Sequence, residues 1–137
     1  MGRQRRKRRY ADGHGTLCLD TPCRDGGTGP DVPAGVPAGV PLEIAASSRA
    51  RSRGLLGRTG IAGALLLTPA SGIHTFRMRF PIEVAYLDRE LRVLAVRTLP
   101  PNRLPLPHPR TRHVLEAEAG ALTRWGVRPG AHVRIVP

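Results

Sequence analysis

The side chains with the clearest chemical potential lie in a segment of about 35 residues (54–88) that is otherwise rich in apolar, strand-forming residues. Three basic side chains and one carboxylate stand out in it: Arg58, His74, Arg79 and Glu83. A charged group set into an apolar strand is costly unless it is paired or hydrogen-bonded. The cluster therefore predicts either a structural hydrogen-bond network or a ligand-binding site.

Glu83 is the acidic residue of the apolar stretch 82–87. Its side chain must be paired, protonated or open to solvent at the mouth of a pocket. Arg58, Arg77 and Arg79 are its natural partners, and an arginine–carboxylate pair would fix the strand to a neighbouring segment. The same carboxylate could instead bind a ligand or act as a general base.

His74 lies at the start of a predicted strand and is either a hydrogen-bonded core residue or the partner of Glu83 in an acid–base unit. No serine lies in a GxSxG motif, and no glycine-rich segment resembles a phosphate-binding loop. We therefore expect a non-catalytic binding or accessory domain, in which Arg58, His74, Arg79 and Glu83 hold a small polar or anionic ligand or an acidic segment of a partner. A hydrolase that uses His74 and Glu83 is the alternative hypothesis.

The sequence offers no convincing metal site. Cys18 and Cys23 have only His14 nearby, whereas a zinc site needs about four ligands. The histidines at 108, 113 and 132 share no metal-ligand spacing. We therefore expect neither a metal nor a cofactor.

The chain is strongly basic, with 22 Lys and Arg against 10 Asp and Glu, a formal charge of +12. Residues 42–137 alone carry 15 basic and 6 acidic groups. A basic surface attracts polyanions without specificity. A third hypothesis is therefore a polyanion-binding adaptor that uses residues 3–9, with weak binding to nucleic acid or anionic surfaces.

The chain divides into two parts by composition. Residues 1–41 are basic, then rich in Gly and Pro, and they predict a disordered tail and linker. Residues 42–137 predict a single β-rich domain, a compact β-barrel or jelly-roll-like sandwich of about seven short strands with one or two short helices. The predicted strands are 42–45, 64–68, 73–80, 82–87, 91–97, 112–116 and 132–136, and the predicted helices are 48–56 and 120–125.

The ordered motifs of the second part resemble a bacterial and archaeal family, domain of unknown function 192 (DUF192), over about residues 42–137. The similarity is carried by Gly54–Arg58, Gly63–Pro69, Phe76–Asp88, Val114–Gly120 and Gly126–Gly130. It implies a single β-rich domain with no established activity. The chain departs from the family pattern at Glu83 and Ala131, where Asp is usual, and at Arg77.

The sequence also gives an expectation about location. No apolar run approaches the roughly 20 residues that span a bilayer. The basic residues 1–10 are not followed by the apolar segment of about 7–15 residues that a signal peptide needs. We therefore expect a cytoplasmic protein without a transmembrane segment, although members of the family it resembles are often exported.

Overall fold

The structure, a computed structural model, describes residues 10–20 and 39–137. These residues form seven strands and two short helices. The strands are β1 (Gly13–Asp20), β2 (Val40–Ala45), β3 (Ala64–Leu67), β4 (Ile82–Leu87), β5 (Val93–Leu99), β6 (His113–Glu118) and β7 (His132–Val136). The helices are α1 (Ser48–Arg53) and α2 (Ala121–Arg124).

All seven strands belong to one sheet with the order β5-β4-β6-β3-β2-β1-β7, curled into a half-barrel. The pair β2 and β3 is parallel, and α1 lies in the connection between them, while the other pairs are antiparallel. A bridge between Arg92 and His132 joins the two ends of the sheet. The predicted fold class, mostly β with two short helices, is confirmed.

The sheet has two covered faces. One, the α2 face, packs Leu42, Leu66 and Leu115 against Leu122 of α2. The other, the α1 face, packs the opposite side chains of the same strands against Ala50 of α1 and the loops that follow it. Successive residues of a strand point to opposite faces. Strand β4 is therefore buried along its whole length, as its apolar sequence predicts.

Strand β1 corrects the prediction that residues 1–41 are a disordered tail and linker, because residues 13–20 form part of the sheet. Residues 13–20 pair with β2 on one side and β7 on the other, and Leu17 is part of the core of the α2 face. Asp12 also accepts hydrogen bonds from the backbone N–H groups of Ala46 and Ser47, at 2.6 and 2.8 Å. The sheet therefore includes a segment that composition alone assigns to the linker. The remaining parts of that prediction, residues 1–9 and 21–38 with Cys23, lie outside the described residues.

The predicted strand over residues 73–80 is wrong, because this segment is an irregular loop. Thr75 exchanges backbone hydrogen bonds with Asn102 and Arg103 of the proline-rich loop rather than with a strand. Arg77 has a φ of 60°, in the left-handed region that interrupts an extended chain. The buried side chains are consequently Thr75, Met78 and Phe80, and not an alternating set.

Helix α1 ends earlier than predicted, and α2 is one residue shorter than predicted at each end. Ser47 caps α1 by accepting a hydrogen bond from the N–H of Ala50 at 3.1 Å. The helix ends at Arg53 because Gly54 has a φ of 46°. The loop that follows lays Leu55 against the sheet and places Arg58 beside β2. In the described residues, neither helix is long and apolar enough to cross a membrane.

Candidate functional site

Glu83 binds α2 and not an arginine. Both carboxylate oxygens are used: Oε1 accepts from the backbone N–H of Thr123 at 2.9 Å and Oε2 accepts from its hydroxyl at 2.6 Å. Gly120, which precedes α2, supplies no side-chain cap. Glu83 is 3% exposed and takes over this capping role from the neighbouring strand. The carboxylate is therefore satisfied within the fold, on the α2 face.

Arg58 pairs with a carboxylate outside the four predicted site residues. Its two terminal nitrogens bind Glu43 of β2 in a bidentate arrangement, at 2.9 and 2.7 Å. The Arg58 guanidinium lowers the pKa of Glu43. The pair fixes the loop after α1 to β2 on the α1 face, although a half-exposed pair of this kind contributes only about 0.2–1 kcal/mol.

The remaining predicted site residues are exposed. His74 stacks on Phe76, with 5.4 Å between ring centroids, and it lines a small pocket on the α1 face. Arg79 is exposed and forms no side-chain hydrogen bond or ion pair with the described residues. The structure thus places Arg58 and His74 on the α1 face and Glu83 on the opposite one. It does not bring the four predicted residues into a single site.

Glu116 of β6 is buried on the α1 face. Its register partners there are Leu65 of β3 and Val84 of β4, and its side chain is 3% exposed. Burial raises the pKa of Glu116 to about 8, while the positive charge of Arg58 works in the opposite direction. A carboxylate near a strand end is usually solvated. A strand covered on both faces leaves no solvated side for it.

The described surface contains an open cleft of about 670 Å³, which we call the arginine cleft. It lies where α1, the start of the β3–β4 loop, the β4–β5 turn and the segment before β6 meet. Four arginines and two acids line it together with small residues: Arg51, Arg89, Arg110, Arg112, Asp88, Glu90, Pro69, Ala70, Ser71 and Thr111.

Backbone hydrogen bonds hold the walls of the arginine cleft together. The N–H of Arg112 donates to Leu87 O at 2.8 Å, and Arg112 O accepts from the N–H of Ala70 at 2.9 Å. Arg51 reaches across from α1 and donates to Pro69 O at 2.9 Å. Arg110 has a φ of 68°, an uncommon conformation for a residue with a side chain. The arginines therefore project from a framework that is fixed by the fold.

The charges of the arginine cleft are not balanced internally. Asp88 uses Oδ1 to accept from the N–H groups of Glu90 and Arg92, at 2.8 and 3.0 Å, so this oxygen stabilises its own turn. In the part of the chain that the structure describes, none of the four cleft arginines forms an ion pair. In the same part, Arg51 Nε and Thr111 Oγ1 are buried without a hydrogen-bond partner. The cleft thus offers donors that the protein itself leaves unused.

Next to the cleft, His113 is a buried neutral histidine. Its Nδ1 lies 2.7 Å from the hydroxyl of Thr68, and Tyr10 contacts its ring edge-on. Burial, with a smaller effect of Arg112, lowers the pKa of His113 to about 4. His113 therefore carries no charge at neutral pH. Among the described residues, no group of three or more His, Cys, Asp or Glu side chains is arranged to hold a metal ion.

Comparison with protein families gives a match over residues 33–135 to the model of DUF192, which is described as an uncharacterized ACR. The chain belongs to the DUF192 family. The resemblance found in the motifs is confirmed, and the family match begins before β2. A comparison with curated proteins finds no significant match.

Two solved structures show the same fold as this DUF192 chain. One, from Sinorhizobium meliloti, is provisionally described as a transcription regulator; it is 18% identical, with a TM-score of 0.68 over 92% of this chain and 96% of the other. The second is a protein of unknown function from Novosphingobium aromaticivorans, 21% identical, with a TM-score of 0.64 over 90% of this chain and 84% of the other. At these identities the likeness concerns the fold alone.

Proposed function

We propose that this DUF192 domain is a non-catalytic binding module and that the arginine cleft takes a small anion with phosphate or carboxylate groups. The main observation in support is that four arginines surround a cleft of about 670 Å³ without an ion-pair partner in the described residues. Small-molecule sites commonly have volumes of about 300–1,000 Å³. Guanidinium groups match the oxygens of phosphate and carboxylate in a bidentate manner.

Two further features favour a ligand over a solvated surface. Arg51 Nε is a buried donor without a partner in the described chain, and the Thr111 hydroxyl lies buried in the same cleft. Leaving a buried polar group unsatisfied costs about 1–3 kcal/mol. Residues in unusual backbone conformations cluster at binding sites, and Arg110 is one. An anion in the cleft would satisfy these donors.

The proposal keeps the ligand class predicted from the sequence and changes the residues that hold it. An acid–base unit of His74 and Glu83 is not favoured, because Glu83 binds Thr123 on the α2 face. The polyanion hypothesis concerns residues 3–9, which lie outside the described residues.

The proposal is tested by calorimetric titration of the full chain with pyrophosphate and with citrate at low ionic strength. The double variant Arg110→Gln/Arg112→Gln removes two cleft cations. We expect it to weaken the binding of at least one probe ten-fold or more, since a hydrogen bond to a charged group contributes about 1.5–3 kcal/mol.

The matched control is Arg128→Gln/Arg134→Gln, which removes the same charge at two exposed positions outside the cleft. We expect it to retain most of the affinity. An equal loss in the control pair would mean that net charge alone attracts the probes. Absence of binding to both probes in the unmodified chain would equally contradict a small-anion site.

A further inference from the structure

A second, smaller cavity of about 100 Å³ lies on the α1 face, and we call it the Glu116 pocket. Glu116 of β6 lines it from the sheet. Leu55, Leu67 and Met78 supply apolar wall from the loop after α1, from β3 and from the β3–β4 loop. About 10–15 Å³ of such space holds one water molecule, so this cavity admits a group of several heavy atoms.

Glu116 is a polar group that the fold leaves unused in this pocket. The side chain is 3% exposed and accepts no hydrogen bond from the residues that the structure describes. Its neighbours in the sheet, Leu65 and Val84, are apolar. Because burial raises its pKa to about 8, the carboxyl group keeps its proton at neutral pH. It is then a hydrogen-bond donor as well as an acceptor.

The charged groups around the pocket are basic. Arg51 and Arg53 line it from α1, and His74 lines it from the facing loop. Arg58 is close enough to influence Glu116 but is already paired with Glu43. With the Glu116 carboxyl uncharged, a positive rim repels a cationic ligand and attracts an anionic one.

We propose that the Glu116 pocket binds a short aliphatic monocarboxylate of two to four carbon atoms. The protonated carboxyl of Glu116 donates a hydrogen bond to the ligand carboxylate, which also lies near the guanidinium groups of Arg51 and Arg53. The alkyl chain packs against Leu55, Leu67 and Met78. This site is separate from the proposed anion site in the arginine cleft, although Arg51 borders both.

The test is an NMR or calorimetric titration of the full chain with propionate at pH 6 and pH 9, with propylamine as a cation of similar size. We expect propionate to bind at pH 6 and to bind about ten-fold more weakly at pH 9, because ionised Glu116 would face the ligand's negative charge. Propylamine should bind more weakly than propionate at pH 6.

Two variants assign the effect to Glu116. Glu116→Gln keeps the shape and a donor without a titratable proton, so propionate should bind at both pH values with at most a two-fold difference. Glu116→Leu removes the donor and should weaken binding at pH 6 at least ten-fold. Thermal unfolding checks that each variant is folded. If Glu116→Leu does not fold, the comparison of the unmodified chain with Glu116→Gln still shows whether Glu116 causes the pH dependence of propionate binding.

Several results would overturn the proposal: tighter binding of propylamine, no binding of propionate, or propionate affinity that is equal at pH 6 and pH 9. Failure of folded Glu116→Gln to bind propionate would also overturn it. The variant Arg110→Gln/Arg112→Gln should retain propionate binding. If that cleft variant loses it, the acid sits in the arginine cleft and not in the Glu116 pocket.

Discussion

Two buried ionisable side chains of β6 give the stability of the fold opposite dependences on pH. His113 and Glu116 are 7% and 3% exposed, and burial is the main cause of the pKa shift of each. Burial favours the uncharged form, which lowers the pKa of an imidazole and raises that of a carboxyl group. The two shifts therefore have opposite signs.

The sign of each contribution follows from where the proton is bound. Glu116 has a pKa of about 8 in the folded chain against 4.5 for the free side chain, so the folded state holds the extra proton between these values and stability falls as pH rises. His113 has a pKa of about 4 against 6.5, so the unfolded state holds the extra proton and stability falls as pH drops through that range. The pH dependences of stability that come from Glu116 and His113 offset each other between about pH 4.5 and 6.5. Above about pH 6.5 the contribution of Glu116 dominates.

We predict that the unmodified chain loses on the order of 1–2 kcal/mol of unfolding free energy between pH 6.5 and pH 8 through Glu116. Glu116→Gln removes this loss because its amide does not titrate. Urea unfolding at pH 6.5, 7.25 and 8 measures it. Glu118→Gln, an exposed position on the same strand, is the control and should keep the slope of the unmodified chain. Identical slopes for the unmodified chain and Glu116→Gln would refute the buried-acid interpretation.

The sequence identifies which charged residues are unusual but not what they contact. Glu83 is conspicuous within its apolar strand, yet its partner Thr123 lies 40 positions later, and nothing local indicates it. The sequence does not mark Glu116 as unusual, because a carboxylate near a strand end is typical of a solvated position. Only the covering of both faces of β6 makes this position buried. Burial of a central strand is a property of the sheet and not of the strand's own sequence.

At the scale of elements, strand β1 is the clearest difference from the sequence-based prediction. Its sequence, GHGTLCLD, has one fully buried apolar residue, Leu17, and it lies within a region rich in Gly, Pro and Asp. Composition therefore predicts a linker. The strand is held by pairing on both edges, with β2 and β7, and such long-range pairing has no local signal.

Two glycines of β1 offer a matched test of this packing. A Cβ atom at Gly15 would lie 2.5 Å from Val136 O of β7, whereas one at Gly13 would meet nothing within 4 Å. We predict that Gly15→Ala lowers the unfolding free energy by about 1–3 kcal/mol, because the neighbouring backbone must move. Gly13→Ala should change it by less than about 0.5 kcal/mol. Thermal and urea unfolding measure both, and equal stability of the two variants would contradict the packing of β1 against β7.

For the segment 73–80 the error of prediction is the opposite one, because a local pattern predicts a strand that the fold does not form. Alternating polar and apolar residues favour a half-buried strand only if a partner strand is available. Here the partner is the proline-rich loop, and Thr75 donates its hydroxyl hydrogen to Pro100 O at 2.8 Å. By contrast, β4 and β5 are both predicted as strands, are neighbours in sequence and form an antiparallel hairpin.

At the scale of the whole molecule, the positive charge is spread along the chain and is not confined to its first residues. Residues 42–137 have a formal charge of +9, and residues 1–41 add +3. Four of the arginines surround one cleft. The sequence alone gives the net charge, but it does not show that residues as distant as Arg51 and Arg112 face the same space, because that depends on the order of strands in the sheet.

This distribution predicts how the protein binds a polyanion. Deleting residues 1–9 removes six basic groups, and each lost phosphate contact reduces the slope of log affinity against log salt by about 0.9 on duplex DNA. We expect the deleted chain to retain measurable, salt-dependent binding to a random duplex, with a smaller slope than the full chain, since the body keeps its own positive charge. Fluorescence anisotropy at 25–200 mM salt measures both slopes. Complete loss of binding on deletion would assign polyanion binding to residues 1–9 alone. An unchanged slope would show that these residues take no part in binding.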